Sequence, residues 1–141
     1  MLGALGAISL VLVAVATGCG SDDSEYANAD RPPAPITISI AIVGDRVTIS
    51  PDRVGAGPVV LLIANESGRS HDVTLAASGA GRSCVADEAS SGPINPEGAA
   101  RITLPLVEGT CEVGVADGTL DPARLVVGPE RESAQQDLLQ P

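Results

Sequence analysis

Four isoleucines, Ile36, Ile38, Ile40 and Ile42, alternate with Thr37, Ser39 and Ala41, and this two-residue period constrains the chain more than any other feature of it. Successive side chains on a strand point to opposite faces, so the run describes a strand with one face buried. Nothing downstream carries the apolar repeat of an amphipathic helix. Gly44-Asp45 turns the chain, Arg46 to Ser50 places Val47 and Ile49 inward, and Pro51-Asp52 ends that strand. Gly55-Ala56-Gly57-Pro58 reads as a second turn leading into Val59-Val60-Leu61-Leu62-Ile63-Ala64, an unbroken apolar run that fits a central strand. After Asn65-Glu66-Ser67-Gly68 the strand His71 to Ala77 sets His71, Val73 and Leu75 on one face and Asp72 and Thr74 on the other. Arg101 to Leu106, Cys111 to Ala116 and Arg124 to Gly128 complete the set. About seven short strands punctuated by Gly and Pro predict an all-β, antiparallel sandwich over residues 36–128.

Composition narrows what such a domain can do. Phe and Trp are absent and the only Tyr is Tyr26, so the core has to be built from Val, Ile, Leu and Ala. Stacking on nucleobases or sugar rings needs exposed aromatic faces, which this domain lacks. The net charge of −10 opposes nucleic-acid phosphates and anionic lipid headgroups alike, so no nucleic acid is expected as a partner.

The chain from Met1 to Gly18 has no charged side chain. Its run Ile8-Ser9-Leu10-Val11-Leu12-Val13-Ala14-Val15 has the length of a signal-peptide core and is short for a transmembrane helix. It ends in Ala16-Thr17-Gly18-Cys19, which resembles the lipobox of bacterial lipoproteins. That resemblance implies a signal peptide at 1–18, a lipid on Cys19, and attachment to the outer face of the bacterial cell membrane. The alternative is a secreted protein with an incidental Cys19. Residues 19–35, with Asp22, Asp23, Glu25 and Pro32-Pro33-Ala34-Pro35, form a polar, Pro-rich stretch expected to act as a tether. Residues 129–141 read as a disordered tail.

Ala56-Gly57-Pro58-Val59, then Asn65 and His71-Asp72-Val73-Thr74-Leu75, resemble the middle of cupredoxin-like domains. Glu108-Gly109-Thr110-Cys111-Glu112-Val113 resembles the opening of their penultimate strand, and Ala123-Arg124-Leu125-Val126-Val127-Gly128 their last. The resemblance covers residues 36–128 and implies a Greek-key sandwich. Cupredoxins hold one copper ion between a mid-chain His and a Cys, a second His and usually a Met in the loop joining the last two strands. His71 matches the first ligand. The final loop, Asp117-Gly118-Thr119-Leu120-Asp121-Pro122, has neither sulfur nor imidazole, and His71 is the only His in the chain. No cofactor is therefore expected, and His71 reads as a structural histidine capping the core.

With Cys19 lipidated, Cys84 and Cys111 remain, and an even pair in an oxidising compartment is expected to close as a disulfide. The alternative, a metal-binding or redox thiol pair, lacks Cys-x-x-Cys spacing. Catalysis has no support. Ser70-His71-Asp72 are consecutive on a strand and cannot form a relay, there is no Gly-x-Ser-x-Gly elbow, and Asp87-Glu88 reads as solvated surface. The expectation is a non-enzymatic, metal-free module held at the membrane through Cys19 and meeting an unidentified envelope protein or ligand. The alternative is a lipoprotein that handles copper or another divalent ion weakly through His71.

Overall fold

The computed structural model describes residues 32–133, which form eight strands and no helix. In chain order they are β1 (Ile36–Val43), β2 (Arg46–Ser50), β3 (Arg53–Asn65), β4 (His71–Ala77), β5 (Ala89–Ile94), β6 (Ala99–Leu106), β7 (Gly109–Val115) and β8 (Ala123–Glu130). The expected signal peptide at 1–18, Cys19 with most of the expected tether up to residue 31, and residues 134–141 lie outside the described residues.

The strands stack as two sheets joined through β3. In the first, the order is β2-β1-β3-β6; in the second, the start of β3 is followed by β8, β7, β4 and β5. β3 serves both because its register shifts between Gly55 and Ala56. Arg53–Gly55 pair with Val126–Gly128 of β8, whereas Gly57–Ala64 pair with β6 and Val59–Asn65 with β1. The stretch Gly55-Ala56-Gly57-Pro58, expected as a turn, is therefore a bend inside one long strand. A bulge is where a sheet accepts a proline and a left-handed glycine, and Gly57 sits at φ +124°.

Two further expectations are corrected. The sandwich is mixed rather than antiparallel, since β1 runs parallel to β3 and β3 parallel to β8. Alternation identifies the buried face of a strand but not the direction of its neighbour. There are eight strands rather than about seven, because Ala89-Ser90-Ser91-Gly92-Pro93-Ile94 pairs antiparallel with β4 although its sequence has no apolar period.

The core is aliphatic. Ile38, Ile40 and Ile42 of β1 meet Val59, Leu61 and Ile63 of β3, and these face Val73, Leu75, Val113, Leu125 and Val127 of the second sheet. Each fully buried Val, Leu or Ile contributes about 1.5 to 3 kcal/mol relative to its exposed state. Many such side chains replace the aromatic payload that the chain lacks.

The strands run between two poles. At the entry pole, Pro33 is buried against Gly57, where a Cβ would lie 2.8 Å from the Pro33 Cγ. Arg131 closes this pole. Its guanidinium donates to the carbonyls of Ala34 (2.9 Å), Pro58 (2.6 Å), Gly55 (3.2 Å) and Ala56 (3.3 Å). A cation with five N–H donors suits several carbonyls brought to one point. The order in the chain thus extends past Gly128, where composition placed the domain boundary, and before Ile36.

Cys84, in the β4–β5 connection, is bonded to Cys111 of β7 at the same pole, with Cα atoms 5.4 Å apart. Both residues are fully buried, and the Cys84 N–H also donates to the Cys111 Sγ at 3.0 Å. Gly109 lets the connection approach, since a Cβ there would stand 2.6 Å from the Ser83 carbonyl oxygen. Closing a loop with a sequence separation of 27 stabilises the domain by about 3 to 4 kcal/mol on the chain-entropy account. Urea unfolding of a Cys84→Ala/Cys111→Ala double variant should show a loss near that size, and intact mass should detect the reduced pair only after a reductant is added.

Candidate functional site

The opposite pole gathers the β1–β2 turn, the Asn65–His71 connection, the Ile94–Gly98 turn and the final loop 116–122. It is the pole where the sequence placed its one imidazole. His71 opens β4 with its side chain turned into the sandwich and is 5 % exposed. Its Nδ1 is sealed from solvent and has no hydrogen-bond partner. Buried polar atoms without a partner are rare in folded proteins.

The final loop does not answer that nitrogen. It leaves β7 after the buried Val115, and the Ala116 N–H donates to the Asp72 carbonyl at 2.8 Å. Asp117 then accepts two hydrogen bonds from Thr119, from its hydroxyl at 2.7 Å and its N–H at 3.1 Å. Those bonds, the hydroxyl foremost, hold the Asp117 carboxyl below its ordinary range. Leu120 folds inward to become part of the core. Asp121 finishes the loop by accepting from the Val47 N–H (2.8 Å) and donating its own N–H to the Asp45 carbonyl (2.9 Å). A short Asx turn, a buried leucine and backbone bonds to the β1–β2 turn thus stand where donor side chains would be needed.

The organiser of this pole is Asn65, whose significance the sequence did not reveal. It is 1 % exposed and fully bonded. Its Nδ2 donates to the carbonyls of Arg69 (2.7 Å) and Ile94 (2.8 Å), and its Oδ1 accepts from the N–H (3.0 Å) and hydroxyl (2.7 Å) of Ser67. Its backbone joins Gly98 and Glu97. One amide therefore ties the connection preceding His71 to the turn between β5 and β6. The Asn-x-Ser triplet advertised only a turn, because the Ile94 carbonyl lies 29 residues away.

The other sequence candidates are not brought together. Asp72 points to the outer face of its sheet, where it accepts from Ser90 at 2.7 Å, so it shares no relay with the inward His71. Asp87 and Glu88 are exposed. Among the described residues, no three His, Cys, Asp or Glu side chains are placed to hold a metal ion. Cys84 and Cys111 are spent on each other at the far pole.

No family model matches the chain, and no curated protein matches it. Solved structures do. The fold is similar to auracyanin A, a blue copper protein from Chloroflexus aurantiacus, with a TM-score of 0.52 and 22 % identity over 67 % of this chain and 100 % of that one. It is also similar to dithionite-reduced auracyanin from Roseiflexus castenholzii, with a TM-score of 0.50 and 16 % identity over 69 % and 99 % of the two chains. The domain is a cupredoxin-like sandwich. At these identities the likeness concerns the fold alone. Copper, which that fold implies, is not matched by the residues present: the sealed Nδ1 of His71 is one suitable donor, and the loop beside it offers Asp117, already engaged by Thr119, and the buried Leu120.

Replacing Asn65 by alanine would strand the buried Ile94 carbonyl. The variant should lose about 2 to 3 kcal/mol in urea unfolding, and hydrogen exchange should quicken first at Ser67, whose N–H loses its Oδ1 acceptor.

Proposed function

We propose that this chain is an extracytoplasmic lipoprotein whose cupredoxin-like domain has given up copper and works as a binding or structural module of the cell envelope, without enzymatic activity. The observation that carries this reading is the loop after β7. It supplies no thiolate, imidazole or thioether, and its largest apolar side chain, Leu120, is packed into the core. A blue-copper centre depends on soft and imidazole donors to set the potential of its metal, and one histidine does not make such a set. The disulfide supports an oxidising compartment. Ala16-Thr17-Gly18-Cys19 supports a lipid anchor. No helix among the described residues is long and apolar enough to cross a membrane.

A second reading is favoured by one atom. The partnerless Nδ1 of His71 is the kind of donor a metal ion would satisfy, so weak handling of copper or another divalent ion through His71 is the competing proposal. Titration of the purified protein with Cu(II) and Cu(I), beside a His71→Ala control, separates the two. The metal-free module predicts no stoichiometric ion and identical isotherms for both proteins. A stoichiometric ion lost with His71 would establish the second reading instead.

The anchor has its own measurement. Cys19→Ser should move the protein from the membrane fraction to the soluble exported fraction, and the parent should carry the added mass of a diacylglycerol. A parent that is already soluble would mark the chain as a secreted protein.

A further inference from the structure

The outer face of the β2-β1-β3-β6 sheet differs in charge from the rest of the molecule. Every outward strand position on it is apolar, hydroxyl-bearing or arginine, and none is acidic, in a chain of net charge −10. Arg46 and Arg101 are its charged residues; Arg46 has only an exposed pair with Asp45 at 3.6 Å. A shallow apolar groove crosses the face, lined by Ser39, Ala41, Leu62, Ala64 and Ala99, with Glu66 at its rim. The alanines recess it, and Leu62 stands beside them 44 % exposed.

We propose that residues 20–31 of this same chain fold back over that face, with the Tyr26 ring in the groove and the neighbouring carboxylates beside Arg101 and Arg46. The segment has the complementary chemistry: Asp22, Asp23, Glu25 and Asp30 surround the only aromatic side chain in the protein. Its point of departure is fixed, because Pro33 is packed on Gly57 and the Ala34 carbonyl is held by Arg131 at 2.9 Å. Its reach suffices. Gly57 to Leu62 is five steps along β3, about 17 Å. Pro33 back to Tyr26 is seven steps, up to about 24 Å when extended, and the surplus allows a turn. Arg101 is the registered partner of Leu62 and so flanks the ring position. A second copy of the chain is a poorer occupant, since a two-fold contact through this face would set arginine against arginine with only Glu66 at the rim and the already paired Asp45 to offset it. Covalent connection raises the local concentration of the segment, so modest contacts are enough. The inference holds whether or not Cys19 carries a lipid.

Tyr26 reports on the contact without labelling, because its emission is the only aromatic signal in the protein. The exported protein, purified in detergent, should show acrylamide quenching of tyrosine well below that of N-acetyl-tyrosinamide. Leu62→Asp and Arg101→Glu, both at exposed positions, should each abolish that protection while leaving the circular-dichroism melt unchanged. Quenching equal to the free amide in the parent overturns the proposal, as does protection that survives both substitutions. Protection that rises with protein concentration, and vanishes in Leu62→Asp together with a dimer in sedimentation, overturns it in favour of a second copy.

Discussion

The molecule depends on one strand belonging to two sheets. β3 enters paired with β8, shifts register at Gly55, and leaves flanked by β1 and β6. Because the two halves are covalently one, the sheets cannot slide relative to each other without breaking the bulge. That fixed offset lets aliphatic side chains from both layers interdigitate, which matters in a core without aromatic rings. Methyl-rich side chains gain their stability from close contact over many small surfaces, and such contact is lost when layers drift. The four carbonyls that Arg131 gathers and the Cys84–Cys111 bond lie at the pole where the strand changes sheets. Reinforcement is concentrated where the ladder is irregular.

The far pole follows a different logic. In a copper-binding sandwich the closing loop has to present donors in one geometry, which the surrounding fold then enforces. Here the loop satisfies itself: Asp117 is engaged by Thr119, Asp121 by the β1–β2 turn, and Leu120 by the core. The scaffold around His71 is held by Asn65, which joins neighbouring connections through a single amide. That scaffold needs no metal donors, because its hydrogen bonds serve the fold itself. A cupredoxin-like shape therefore says little about electron transfer unless the closing loop is read beside it.

Much of this was legible in the sequence, and the omissions share a cause. Alternation at Ile36–Ile42 and at His71–Leu75 identified strands and their buried faces, since period-two patterning is a direct image of burial. The pairing of Cys84 with Cys111 followed from compartment and number. By contrast, β5 has serines and a glycine at positions that pair only because β4 lies beside them. The bend at Gly55–Pro58 looked like a turn because the same residues serve both purposes. Asn65 and Arg131 act through carbonyls 29 to 97 residues distant. Local chemistry does not encode a partner that only the tertiary fold brings close. The closing loop was the informative exception, because missing donors are visible in one dimension.

The meeting of Pro33, Gly57 and Arg131 has a mechanical consequence. The Pro33 and Arg131 ends of the described residues lie together, so a load applied at the Pro33 end would pass first into β1 along its own axis. The bonds of β1 to β2 on one side and β3 on the other then resist in shear, all at once, rather than opening one after another.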